Sequence, residues 1–242
     1  MSEKAKAELA PTGVLRAAIN MGNFLLVTGK TAAGDPVGVA PDMAREIAGR
    51  LGVPVAYVPF ARPGDLADAA DSGVWDIGLI GAEPQRAEKI LFTPAYVEIE
   101  ATYLVPAGSP LQSIAAVDRK GVRIAVAARS AYDLWLERNI KEAALVRAEG
   151  GDATFEMFRE RKLDALAGLR PGLLGYAQKL PGARILEGQF TAVQQAIGTA
   201  RKNTAGATFL EDFVAEAKRS GLVARLIERH EVTGRLSVAP PA

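Results

Sequence analysis

The sequence predicts an α/β fold of two Rossmann-like lobes with parallel or mixed sheets, joined by a two-strand hinge. Three observations carry that prediction. Short β-branched runs alternate with helix-period segments from Val14 onward, the rhythm of parallel βαβ units rather than of a bundle or sandwich. That rhythm breaks at Gly108-Ser109-Pro110 and restarts at Val122, so two βα series are present. A last strand and two amphipathic helices then follow, placed to return to the first series. Two lobes crossed twice imply a hinge and a cleft. The lobes are expected at residues 1–104 plus 198–242, and at 105–197.

Residues 14–20 read as the opening strand. Pro41-Asp42 opens a helix that runs to Leu51, and Gly52 suits the left-handed position that ends it. Residues 53–60 form the second strand, 65–71 a short helix stopped by Ser72-Gly73, and 75–80 a third, buried strand. Gly81-Ala82-Glu83 is a tight loop before Pro84. Proline is favoured at the first helical position, which puts Arg86 in the first turn of the next helix. After a strand at 101–106, the second lobe opens with a strand at 122–127. Ser130 caps the following helix, and Asp133 three residues on resembles a capping box. A helix from Asp152, a strand at 164–167, a helix from Pro171 and a strand near 183–186 come next. The last strand spans 192–200, helices cover 204–220 and 222–229, and the Pro-rich end after Val238 is expected to fray.

With 242 residues and 49% hydrophobic content the chain can bury a sizeable core. The 29 Lys+Arg against 28 Asp+Glu leave a net charge of +1, without the footprint of a nucleic-acid binder. The absence of Cys removes thiolate nucleophiles, disulfides and Cys-containing metal sites, and a single His leaves metal and triad chemistry without its usual ligand or base. No cofactor and no metal site are expected. No run approaches the roughly 18 apolar residues of a membrane helix. Residues 1–11 are polar and charged, so no export signal is expected in the chain as given, and a native Met1 would keep the protein in the cytoplasm. Gly29-Lys30-Thr31 ends like a phosphate loop, but Phe24 stands where that pattern needs Gly. No G-x-G-x-x-G opens a helix after the first strand, so both nucleotide readings fail.

From Leu15 to about Val223 the layout and its turn residues resemble the bacterial extracellular solute-binding proteins of polar amino-acid ABC transporters, family 3 type, with the type II periplasmic-binding-protein-like fold. The resemblance rests on residues 15–20, on Val37-Gly38-Val39-Ala40-Pro41-Asp42-Met43-Ala44, and on Trp75-Asp76-Ile77 followed by Glu83-Pro84-Gln85-Arg86. Phe92-Thr93 with Tyr96, residues 127–136, Leu163-Asp164-Ala165 and 218–222 continue it. It implies a binding protein that closes two lobes on a small carboxylate, amino acid or organic acid, and passes it to an inner-membrane ABC permease. A periplasmic monomer with no nucleic-acid partner is implied.

By the same resemblance Arg86 forms a bidentate pair with the ligand carboxylate, because its planar fork of donors matches two oxygens. Ser130 offers a hydroxyl at a helix start, where free N–H groups and the positive dipole end receive an anion. Asn23 and Phe24 fall on the wall of the site. Read without the resemblance, Arg86 is an exposed helix Arg paired with Glu83, Ser130 a plain N-cap, and Phe24 a core residue. The chain also departs from the family. Ile80-Gly81-Ala82 replaces the usual Gly-Met-Thr segment and is two residues shorter, so backbone N–H groups of Gly81 and Ala82 must substitute for hydroxyl donors. Gly168-Leu169-Arg170 stands where the acid that grips the α-amine is expected, which leaves Glu98 or Glu100 to replace it. Arg129 stands in place of a small Gly and brings a second cation.

Two cations without an amine anchor favour an organic acid over a zwitterionic amino acid. The alternatives are a ligand-sensing domain or a lyase of the cyclohexadienyl dehydratase type, which needs an acid of raised pKa. Glu83, Glu98 and Glu100 are the candidates for it, none in a catalytic motif, so no catalytic residue is assigned. His230 reads as part of a solvated C-terminal helical turn without chemistry.

Overall fold

A computed structural model describes residues 3–241. The chain divides into two compact units, Met1–Glu98 with Gln194–Ala242, and Ile99–Val193. Its crossings therefore fall at 98–99 and 193–194, inside two long strands, where the sequence places them at 104–105 and 197–198.

The first unit begins with α1 (Glu3–Leu9), β1 (Leu15–Asn20), the two-residue strands β2 (Gly29–Lys30) and β3 (Pro36–Val37), and α2 (Val39–Leu51). It continues through β4 (Val55–Phe60), α3 (Pro63–Asp68), β5 (Ile77–Gly81), α4 (Pro84–Ala87) and β6 (Ile90–Phe92). β7 (Val97–Val105) leads into the second unit, which holds β8 (Arg123–Ala127), α5 (Ala131–Asn139), β9 (Ala144–Ala148), α6 (Gly151–Glu160), β10 (Ala165–Leu169), α7 (Arg170–Gln178) and β11 (Arg184–Ile185). β12 (Thr191–Ala200) returns the chain to α8 (Thr204–Arg219), α9 (Leu222–Arg229) and β13 (Ser237–Val238).

Both units are built on one plan. In the first, parallel strands run in the order β4-β1-β5, and residues 195–199 of β12 lie antiparallel to β5. In the second the order is β9-β8-β10, with residues 101–104 of β7 antiparallel to β10. Strands covered on both faces read as continuous apolar runs, and every residue of β5 is buried. In the second unit, side chains alternate between two cores as the period of two demands. Tyr103, Val105, Ile124 and Val126 pack with Leu136 of α5 on one side, while Leu104, Ala125 and Leu166 pack with Phe155, Phe158 and Leu173 of α6 and α7 on the other.

The same clamp closes the amino ends of both sheets. Arg16 at the head of β1 donates through Nε and Nη2 to the carboxylate of Asp76, at 3.0 and 2.6 Å, and its Nη1 reaches the Gly73 carbonyl. Asp76 is buried and also accepts the Arg16 N–H at 2.8 Å. Arg123 at the head of β8 repeats this with Asp164 and the Lys162 carbonyl.

Three expectations need correction. α1 is a packed helix in a segment read only as polar: Ala5 and Leu9 are buried, and Glu8 Oε2 accepts the Gly206 N–H at 2.7 Å at the head of α8. β9 adds a strand that the sequence does not signal, because Ala-Leu-Val-Arg-Ala at a sheet edge mixes helix formers with few β-branched residues. The Pro-rich tail does not fray over its described residues. Ser237 and Val238 pair with Glu98 and Val97, Ala239 N–H donates to the Tyr96 carbonyl, and Lys218 holds the Pro240 carbonyl at 2.7 Å.

His230 is likewise not solvated. Its side chain is 9% exposed and Nε2 lies 2.8 Å from Oδ2 of the buried Asp42, which also pairs with Arg45 and Arg229. This ties α9 to the first turn of α2. Burial pushes the Asp42 carboxyl up, but the His230 hydrogen bond and the Arg45 charge outweigh it and hold the group below the ordinary aspartate range. α2 itself starts at Val39, two residues earlier than expected, because Gly38 lets the chain pass against the loop after β1. A Cβ on Gly38, whose φ is 151°, would lie 2.2 Å from the Leu26 carbonyl oxygen.

Gly38→Ala is therefore expected to cost at least about 2 kcal/mol from overpacking against backbone that cannot yield, measured as a lower urea midpoint at unchanged slope. A carboxyl lowered on folding adds stability above its unfolded value, about 3.9 for Asp, and loses it as pH falls through the lowered folded value. Asp42→Asn should thus destabilise near neutral pH, with the gap to the parent protein narrowing below pH about 4. A gap unchanged across that range in pH-dependent urea melts would refute the ionic role.

Candidate functional site

The first unit presents its candidate residues at one sheet edge. β1 and β5 are parallel neighbours with Ile19 opposite Leu79, so the loops holding Asn23-Phe24 and residues 81–86 leave the sheet side by side. Ligands of open α/β sheets bind outside the carboxyl ends of the strands. Arg86 sits on α4, a single turn that Pro84 starts and that ends because residues 90–92 are committed to pairing with β12. Its side chain is buried, and Nη1 donates to the Gly81 carbonyl at 2.7 Å. The reading of Arg86 as an exposed helix-surface residue fails on this burial.

Ala82 corrects another expectation. Its N–H donates to the Gln194 carbonyl at 2.7 Å, so the sheet already uses one of the backbone donors meant to replace the missing hydroxyls. Asn23 is buried, and its Oδ1 accepts the N–H groups of Leu25 and Leu26 at 3.1 and 3.3 Å, an Asx turn. The turn leaves Phe24 46% exposed rather than in the core. Over the Phe24 ring, 5.7 Å from its centroid, lies the guanidinium of Arg235. Nothing in the sequence signalled that residue, since Gly234 beside it marks only a turn.

In the second unit, the chain leaves β8 through Arg129, whose φ of 59° lies in the left-handed region. Ser130 caps α5 by accepting the Asp133 N–H at 3.1 Å. The Asp133 carboxylate reaches back to the Arg129 N–H at 2.8 Å and is held by Arg147 Nε at 2.9 and 3.0 Å. The capping box is present, its return bond displaced by one residue. Burial pushes the Asp133 carboxyl up, against the pull of these bonds. The half-buried Tyr132 phenol is pushed up to about 12 by desolvation.

The two acids considered as amine anchors are already engaged. Glu98 accepts Gln194 Nε2 at 2.9 Å. Glu100 accepts Arg170 Nε at 2.6 Å, and Arg170 also bonds the Gly188 carbonyl. The position expected to hold an acid therefore holds a cation that consumes one. Among the described residues no cluster of three or more His, Asp and Glu is arranged to hold a metal ion, and no helix is long and apolar enough to cross a membrane.

The model of the bacterial extracellular solute-binding proteins, family 3, matches residues 23–232. The chain belongs to this family. One relative, the L-cystine-binding protein TcyJ of Escherichia coli strain K12, is 23% identical over 81% of this chain and 74% of its own. Among solved structures, a solute receptor for L-cysteine of Neisseria gonorrhoeae aligns with a TM-score of 0.79 at 20% identity, over 97% of this chain and 99% of that one. A mutant arginine-binding protein of T. maritima gives 0.75 at 21% identity, over 94% and 99%. The ancestral amino acid-binding protein AncCDT-1, a precursor of cyclohexadienyl dehydratase, gives 0.74 at 20% identity, over 93% and 98%. These likenesses show the type II periplasmic binding fold, and the family is extracellular or periplasmic.

A side chain in the left-handed region costs roughly 1–2 kcal/mol, a cost absent for the Gly that the family resemblance places at Arg129. Whereas a Gly substitution in regular structure costs roughly 0.5–1 kcal/mol, Arg129→Gly is expected to leave urea stability unchanged or raise it by up to about 1 kcal/mol. A clear loss would show that Arg129 is held by contacts stronger than its backbone strain.

Proposed function

We propose that this protein is the solute receptor of an ABC transport system, a monomer that works outside the cytoplasmic membrane and hands its ligand to an inner-membrane permease. The ligand is a small carboxylate, amino acid or organic acid. Arg86 supports this class: a guanidinium buried at the carboxyl edge of β5, oriented by the Gly81 carbonyl, is a preset fork for two carboxylate oxygens. Gly81 positions it, and Asn23 and Phe24 flank it on the neighbouring loop. Ser130 and Arg129 at the head of α5 supply a second anion-attracting group, where helix N–H dipoles and a cation coincide.

The relatives are named for amino acids, yet the place of the amine-gripping acid is held here by Arg170, with Glu100 as its partner. We therefore favour an organic acid over a zwitterionic amino acid, whose ammonium would be left poorly paired. The lyase alternative draws on the likeness to the dehydratase precursor. Against it, Glu98 and Glu100 each have a structural partner.

A thermal-shift screen of amino acids and matched carboxylates lacking the amine tests the reading, since a hundredfold excess over Kd stabilises by about 2.7 kcal/mol. With a ligand in hand, calorimetry should show Arg86→Ala weakening binding by about 2–5 kcal/mol, the scale for removing one partner of a buried charged pair. Arg86→Lys should recover little, because a point charge cannot replace the fork. Unchanged affinity in Arg86→Ala would remove Arg86 from the site, and tight binding of an amino acid but not of its amine-free counterpart would refute the organic-acid preference.

A further inference from the structure

We propose that Arg235 is a ligand-binding residue that selects solutes carrying a second, distal acidic group. The inference rests on the receptor reading above and names the substrate class of the same site. Arg235 lies beyond the residues matched by the family model, which end at 232, just before the Pro-rich end.

That tail is pinned on both sides of Arg235. Its own N–H donates to the Val232 carbonyl at 3.1 Å, Leu236 is buried, and Ser237 to Ala239 are bonded along residues 96–98. The backbone is thus fixed, and the side chain reaches from it to the exposed ring of Phe24. A cation within about 6 Å of a ring centroid is attracted to the ring face, which orders a long side chain that would otherwise sample solvent.

Arg235 is also exposed and without a protein anion among the described residues. Among the described residues its guanidinium makes no ion pair and no hydrogen bond, and it lies over the Phe24 ring. Asn23, the residue before that ring, is buried, with its Oδ1 committed to the N–H groups of Leu25 and Leu26. A cation carried by the tail is therefore laid over the loop after β1, beside the strand β5 that leads to Arg86 on α4. β1 and β5 are neighbours with Ile19 opposite Leu79, so the cation that reaches the loop after β1 and the one that follows β5 are suited to the two ends of a small diacid. One carboxylate takes Arg86, and the other completes Arg235. A solute with a neutral distal end leaves Arg235 unpaired, and one with a cationic end meets repulsion, which is discrimination by an unfavourable alternative as much as by attraction.

The test is isothermal calorimetry on three pairs that differ by one charge: L-glutamate and L-glutamine, L-aspartate and L-asparagine, succinate and succinamate. The parent protein should bind the diacid of at least one pair at least tenfold more tightly than its monoamide. Arg235→Gln should remove that preference by weakening the diacid about tenfold, with the monoamide changed less than twofold. Because Arg235 is exposed, the variant's thermal unfolding without ligand should match the parent. Equal affinity within every bound pair, or a diacid preference that survives Arg235→Gln, overturns the proposal. Binding that Arg86→Ala abolishes and Arg235→Gln leaves untouched overturns it while keeping the receptor reading. No binding of these probes or of a broader carboxylate panel overturns both.

Discussion

The geometry of each unit depends on one ion pair at the amino end of its sheet. Arg16 and Asp76 join the first residues of β1 to the entry of β5, and three bonds from one guanidinium and one backbone N–H set the register of two strands with no hairpin between them. Once Ile19 is opposite Leu79, the carboxyl ends of β1 and β5 are level, and the loops that follow have no choice of edge. Arg123 and Asp164 repeat the arrangement in the second unit, with more exposure and so a weaker electrostatic hold. The site-bearing loops are thus aligned from the far end of the sheet.

At the carboxyl ends the chemistry turns cationic. Arg86 is buried and oriented, Arg129 is held in a left-handed conformation, and Arg235 is laid on an aromatic ring. The carboxylates nearby are bound to protein groups: Asp133 to Arg147, Glu100 to Arg170, and Glu98 to Gln194. Protein anions that are already paired are poorly placed to neutralise an incoming ammonium. These pairings support the proposed preference for an acidic solute.

Both chain ends serve the first unit. α1 lays Leu9 against Gly206, where a Cβ would come within 2.7 Å of Leu9 Cδ2, and Glu8 satisfies an N–H at the head of α8. The tail from Val232 is stitched to residues 96–98 and to Lys218. Segments that would otherwise be loose become structural because they supply partners to backbone groups that would lack them. The tail gains a second use from the side chain it carries.

Much of this was legible in the sequence because it is written in local pattern. The βα rhythm, the Gly52 helix stop, the Pro84 helix start, the Ser130 cap and the return of the last strand all follow from short-range sterics and hydrogen bonding, which act over a few residues and leave a sequence signature. The place of Arg86 after the third core strand was legible too, though its burial was not, since exposure depends on what packs over a one-turn helix. What only the tertiary structure decided were contacts between residues far apart in the chain: His230 with Asp42, Glu8 with Gly206, Glu100 with Arg170, Arg235 with Phe24. Each pairs an ordinary polar or aromatic residue with another more than sixty positions away, and no periodicity or spacing records such a meeting. The sequence thus determined the elements and the sheet edge on which the candidate residues lie, while long-range packing decided how each of them is buried and what it pairs with.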